Sequence, residues 1–246
     1  MACPTKAPGE GCPGYGTWKT LPNHQIEVTV GGQTFVPLYT EDSNKSGIAR
    51  LQQAWTTYGD MITKASAGTG VSISYIMGIL CAESLGNINA CAPCGLENDC
   101  HVQNCQQCCA FGIMQFTNQT ALQYVKVPGA QLLGNPELSF KAAFLLLADM
   151  MRMDGPWRYG DNLPQLAAAY NAGCQYCKTG MTNWFGNSEN LPPKGGYVQR
   201  VVTFNNTFIA LGLDPGSSAG PSAATLAGLA LLAGAGVALW YFTRRR

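Results

Sequence analysis

The chain has 246 residues, 46% of them apolar, enough for one domain of ordinary size with an appendage. Its 15 basic and 14 acidic residues leave a formal net charge of +1, and three of the basic ones close the chain as Arg244-Arg245-Arg246. No basic field remains to hold nucleic acid, so that class of partner is excluded.

Residues 1 to about 22 are rich in Pro, Gly and Cys and read as irregular. Met1-Ala2-Cys3-Pro4 has neither a charged region nor an apolar run after it, so no secretory signal is expected there. Ile26 to Pro37 alternates apolar and polar residues around Gly31-Gly32, which predicts a short hairpin. Residues 1–45 therefore form an irregular segment carrying a β-hairpin. From Ser46, the residues Ile48, Leu51, Trp55, Tyr58 and Ile62 recur every three or four positions and predict a helix with one buried face. Ser72 reads as the cap of a second helix, with Ile73, Ile76, Ile79 and Leu80 as its stripe and Glu83 in its last turn. Residues 90–110 are dense in Cys, Asn and Gln, show no hydrophobic period, and need cross-links or a metal to become ordered. Further helices are predicted over Thr117–Val125, Pro136–Met153, Leu163–Ala172 and Gly195–Leu211. The folded domain thus runs over 46–213 and is mainly α. A linker of small residues and proline, 214–222, follows.

Ala223 to Phe242 carries no charge over twenty residues. A helix of that length spans roughly 30 Å, the hydrocarbon thickness of a bilayer. Trp240 and Tyr241 sit where an aromatic belt belongs, ahead of the basic tail 244–246. A transmembrane helix over 223–243, partnered by a lipid bilayer, is the expectation. Ala230, Gly234 and Ala238 recur every four residues, a stripe that lets two such helices approach, and simple apolar filler reads equally well.

Three short motifs carry the chemistry. Glu83-Ser84 closes an apolar helix, Gly112-Ile113-Met114-Gln115 follows as a turn, and Ala169-Tyr170-Asn171-Ala172-Gly173 ends a later helix. In this order, with Tyr197-Val198-x-x-Val201 beyond them, they resemble the lytic transglycosylases of the goose-type lysozyme superfamily, over roughly Ser72 to Leu211. The resemblance implies a lysozyme-like helical domain that cleaves peptidoglycan glycan strands without a cofactor. A glycosidic bond breaks when a carboxyl protonates its leaving oxygen, and that carboxyl must stay protonated near neutral pH. Glu83 suits this, following Ile79, Leu80 and Cys81 at the negative end of a helix. No convincing second carboxylate is visible, although Glu97 and Asp99 in the insert keep a hydrolytic muramidase open as the alternative. A third reading is a structural membrane or virion protein that keeps the domain to bind the wall.

By the same resemblance, Ser84, Gly112, Met114, Gln115, Tyr170 and Asn171 contact substrate. Gly112 allows close backbone approach, Met114 offers an apolar contact, and Gln115 pairs with an N-acetyl group. The Tyr170 hydroxyl is expected on Glu83 or on the sugar. The chain departs from the family at Ala92, where many members carry a Ser about nine residues after the Glu.

Eleven cysteines, an odd number, leave at least one thiol unpaired or bonded to another chain, and Cys81 inside its apolar helix is the best candidate. Cys91, Cys94, Cys100, Cys105, Cys108, Cys109, Cys174 and Cys177 read as disulfide partners. Zinc held by the Cys-x-x-Cys pairs and His101 is the other reading. Disulfides are favoured because a wall-directed enzyme works outside the cytoplasm. One of Cys174 and Cys177 is expected to tie the Tyr170 wall to the insert. The expected location is a membrane, with the domain facing the wall. A virion's internal membrane fits a chain with no export signal, by analogy with phages that carry a membrane-bound transglycosylase for genome entry.

Overall fold

Apolar residues at helical spacing build most of this molecule, and they close around one core. The structure is a computed structural model that describes residues 17–30, 32–39, 45–93, 108–152, 159–172 and 196–215. A small sheet comes first, with strands β1 (Thr17–Thr20), β2 (Ile26–Val30) and β3 (Gln33–Phe35) in the order β1-β2-β3, all antiparallel. Helix α1 (Lys45–Ser66) and helix α2 (Ile73–Glu83) follow. A two-stranded ribbon of β4 (Cys91–Pro93) and β5 (Cys108–Phe111) leads to α3 (Asn118–Val125) and a 3₁₀ turn (Gly129–Leu132). Then come α4 (Pro136–Arg152), α5 (Leu163–Ala172) and α6 (Tyr197–Ala210).

The hairpin over 26–37 forms as expected, with Val30 opposite Gln33 across the turn. The irregular reading of residues 1–22 misses β1. Thr17-Trp18-Lys19-Thr20 alternates exposed and buried side chains, and Trp18 is held by a 3.0 Å bond from its Nε1 to Asn162 Oδ1. The same Asn162 oxygen accepts from the Gln165 N–H at 3.2 Å, so one buried amide both caps α5 and anchors the sheet. Ser72 occupies the N-cap of α2, but its hydroxyl bonds to Ser74 Oγ and caps no backbone group. Asp214, read as the first linker residue, is buried. The linker from 216 onward, the apolar run 223–243 and the basic tail lie outside the described residues. Among the described residues no helix is long and apolar enough to cross a membrane.

Helix α2 is the hub: every residue from Ser74 to Cys81 is buried. Its closest neighbour is α6, and Gly78 sets the approach. A Cβ on Gly78 would lie 2.7 Å from the Val201 carbonyl oxygen, so only glycine lets the two backbones meet there. The helices run antiparallel at this crossing, which lays the end of α2 beside the start of α6. Cys81 is a buried free thiol one turn from that end, the state expected for it.

Candidate active site

Glu83 is the last residue of α2, and Ser84 ends the helix by bonding elsewhere. The Ser84 hydroxyl donates to the Ile113 carbonyl at 2.7 Å and accepts from the Gly86 N–H at 3.2 Å. Ser84 therefore ties the helix end to the Gly112–Gln115 turn. That turn is closed by Phe111 and Phe116, which exchange backbone bonds of 2.9 and 3.1 Å, and by Gly112 N–H on the Ala90 carbonyl at 2.8 Å. Gly112 has φ +74°, and a Cβ there would lie 2.6 Å from the Leu132 carbonyl oxygen. The close approach that glycine permits here is to protein backbone. Replacing it with alanine adds left-handed strain and a clash, for an expected loss of about 2–3 kcal/mol, read as a lowered midpoint in urea unfolding.

Glu83 and Gln115 line one cleft of about 760 Å³, together with Ser84, Asn87 and Arg200. Gln115 sits at φ +51°, and its Nε2 donates to its own turn's Gly112 carbonyl at 2.7 Å. One Nε2 hydrogen is so engaged, which leaves the Oε1 acceptor and the second N–H for a ligand amide. Met114 is fully buried, and it is its carbonyl that is used, accepting from Tyr170 Oη at 2.7 Å. Tyr170 also stacks at a tilt on Phe116, 5.7 Å between ring centres. Asn171 is exposed at the end of α5. Ala92, at the position where the family often places a Ser, lines the cleft and offers no hydroxyl.

The hydroxyl on the carboxyl belongs to a different tyrosine from the one expected. Tyr197 Oη donates to Glu83 Oε1 at 2.6 Å, while Tyr170 reaches the turn. Tyr197 opens α6 and Arg200 follows one turn later, a Tyr and an Arg on a helix face that is otherwise apolar. That pattern is the signal by which both could have been found. Burial pushes the Glu83 carboxyl up to about 7, against the opposing pull of the Tyr197 hydrogen bond and the Arg200 charge. Tyr170 and Tyr197 are held well above the usual phenol range, first by burial and then by the Glu83 charge. Both therefore stay protonated donors. Because the Tyr197 bond favours the carboxylate, Tyr197→Phe should raise the Glu83 pKa further. The alkaline limb of the pH–kcat/KM profile then moves to higher pH, measured on solubilised glycan strands.

Part of the expected disulfide framework lies among the described residues at the rim. Cys91 in β4 and Cys108 in β5 are bonded, with Cα atoms 5.2 Å apart, and Cys109 is also disulfide-bonded. Two thiols of the zinc reading are thus consumed by each other. Among the described residues no cluster of His, Cys, Asp and Glu could hold a metal. Cys94, Cys100, Cys105, Cys174 and Cys177, with His101 and the tie from 174 or 177 to the insert, lie outside the described residues.

A family model described as the transglycosylase SLT domain matches residues 60–190. The chain belongs to this family. The lysozyme-like, mainly helical class expected from the motifs holds. The SLT match covers Glu83, the Gly112–Gln115 turn and Tyr170, and stops before Tyr197. Among solved structures the chain is similar to the 70 kDa soluble lytic transglycosylase of Escherichia coli, with 27% identity over 60% of this chain and 23% of that one, TM-score 0.43. It is also similar to a complex of the 70-kDa soluble lytic transglycosylase with bulgecin A, with 24% identity over 63% and 24% of the two chains, TM-score 0.45. The chain spans about a quarter of the length of these structures. A search of curated proteins finds no match.

Proposed function

We propose that this SLT domain is a lytic transglycosylase of peptidoglycan, in which Glu83 acts alone as acid and then base. The observation that carries the reading is a partly buried carboxyl, pushed up to about 7 and bonded by Tyr197, in a cleft where no other described lining residue is acidic. Protonated Glu83 gives its proton to the glycosidic oxygen between N-acetylmuramic acid and N-acetylglucosamine, and that C–O bond breaks. The substrate's acetamido oxygen stabilises the cation at C1. The C6 hydroxyl of the muramic acid then attacks C1, and the Glu83 carboxylate takes its proton, leaving a 1,6-anhydro end and a reset enzyme. A pKa close to neutral suits a group that must give and then take a proton. Tyr197 orients the carboxyl, and Gln115 presents an acceptor to an N-acetyl N–H.

Mass spectrometry of digested peptidoglycan tests this. Anhydro-muramyl ends are expected; reducing muramic acid ends would make the protein a hydrolase instead.

The apolar run 223–242 is part of the proposal as a membrane anchor, supported by its length, its lack of charge and the arginines after it. A virion's internal membrane would present the domain to the wall without export. The full chain should pellet with vesicles, and the chain lacking 223–246 should not.

A further inference from the structure

We infer that Arg50 and Arg200 form a carboxylate-binding subsite in the cleft, which reads an acidic substituent carried by the glycan strand. The inference rests on the peptidoglycan reading above and names the part of the substrate that this cleft selects.

Arg50 comes from α1 and Arg200 from α6, yet both line the cleft that holds Glu83. The ion pairs among the described residues are His24–Asp161 and Lys64–Glu137, and neither arginine takes part in one. Both side chains are exposed to the cleft's solvent. The only acidic group among the described lining residues is Glu83, which is neutral when poised as the acid. Among the described lining residues, two positive charges therefore face one acidic group, and none is left to balance them when Glu83 is protonated. Arg200 is close enough for its charge to act on both Glu83 and the buried Tyr39 hydroxyl.

N-acetylglucosamine, and N-acetylmuramic acid whose lactyl carboxyl is amide-linked to a peptide, have uncharged rings and give two guanidinium groups nothing to pair with. The neutral polar lining, Ser84, Asn87 and Gln115, is enough for hydroxyls and acetamides. A guanidinium fork matches a carboxylate in shape and charge. In peptidoglycan, free carboxylates are carried by the peptides attached to muramic acid, beside the bond to be cut. Arg50 and Arg200 both fall outside the matched residues 60–190.

Binding of N-acetylglucosaminyl-N-acetylmuramyl tetrapeptide to the full chain tests the subsite by calorimetry, because this ligand lacks the bond to be cut. The comparison ligand is the same muropeptide with its carboxylates converted to amides. The wild type should bind the acidic form roughly tenfold more tightly, about the worth of one charge-assisted contact pair. In Arg50→Ala/Arg200→Ala the two affinities should fall within about twofold of each other, and in Arg50→Lys/Arg200→Lys, which keeps the charge and loses the fork, the preference should be intermediate. Equal binding of the two forms by the wild type, a preference surviving in the double alanine variant, or no binding of either form would overturn the inference. Cleavage of intact strands by the same wild-type sample is scored separately. A sample that prefers the acidic muropeptide and cuts nothing keeps the subsite and removes the enzymatic reading.

Discussion

Glu83→Gln should lower kcat/KM for peptidoglycan lysis by about 10²–10⁴-fold while leaving the fold intact. The amide keeps the shape of the carboxyl and still accepts from Tyr197 Oη, so the junction between α2 and α6 survives. What it lacks is a proton to give to the leaving oxygen. Clearing of a peptidoglycan suspension measures the effect, and an undiminished rate in the variant would discard Glu83 as the acid. The same substitution has a second signature, in stability. The Glu83 carboxyl titrates near 7 in the folded protein and near 4.5 as a free side chain. Its folded pKa is the higher one, so its contribution is intact below the unfolded value and is lost as pH climbs through 7. The wild type therefore pays to keep a charged Glu83 on the alkaline side. Glu83→Gln should be more stable than the wild type by about 3 kcal/mol at about pH 8, and equal to it at about pH 4. Paired urea unfolding curves at the two pH values give the comparison. A dead enzyme that is more stable than the living one marks a carboxyl held in an unfavourable place for its chemistry.

Asn206→Ala should be the most damaging single change outside the cleft, at about 4 kcal/mol. Asn206 is fully buried in α6 and every hydrogen-bonding capacity of its amide is used. Its Oδ1 accepts from the Ile26 N–H at 2.7 Å and from Asn205 Nδ2 at 3.1 Å. Its Nδ2 donates to the carbonyls of Ile26 at 2.8 Å and Pro37 at 3.1 Å. Truncation strands backbone groups of the central strand β2 away from water. The sheet would lose its mooring on α6, and Trp18 its place against Asn162. A fall in thermal midpoint together with a rise in Trp fluorescence anisotropy decay would report it. A variant within about 1 kcal/mol of the wild type would mean that the sheet is held mainly by its apolar face.

The helices and the acid were legible because each left a local trace. Ile48, Leu51 and Ile62 repeat at helical spacing and are found on one face of α1, and Glu83 follows an apolar run that does end in it. Leu163–Ala172 is a helix over the residues foreseen. The Tyr and Arg on α6 mark that helix as a candidate, but the choice of partner for the acid is not written locally. Tyr170 and Tyr197 are both tyrosines near a helix end, and which one meets Glu83 depends on how closely α2 and α6 approach at Gly78. That is a tertiary fact. Met114 looked like a sugar contact because a thioether suits one, yet the turn directs it inward and uses its carbonyl. Strand β1 has only four residues, and its pairing with β2 and the Trp18 bond to Asn162 are contacts that no local pattern carries.

The bond between Glu83 and Tyr197 joins residues 114 positions apart. A chain that ends short of Tyr197 already bears the acid, the turn and the Tyr170 motif, yet its carboxyl has no phenol and α2 lacks the helix that packs on it at Gly78. The setting of the carboxyl is therefore completed only when the segment from Tyr197 packs onto α2.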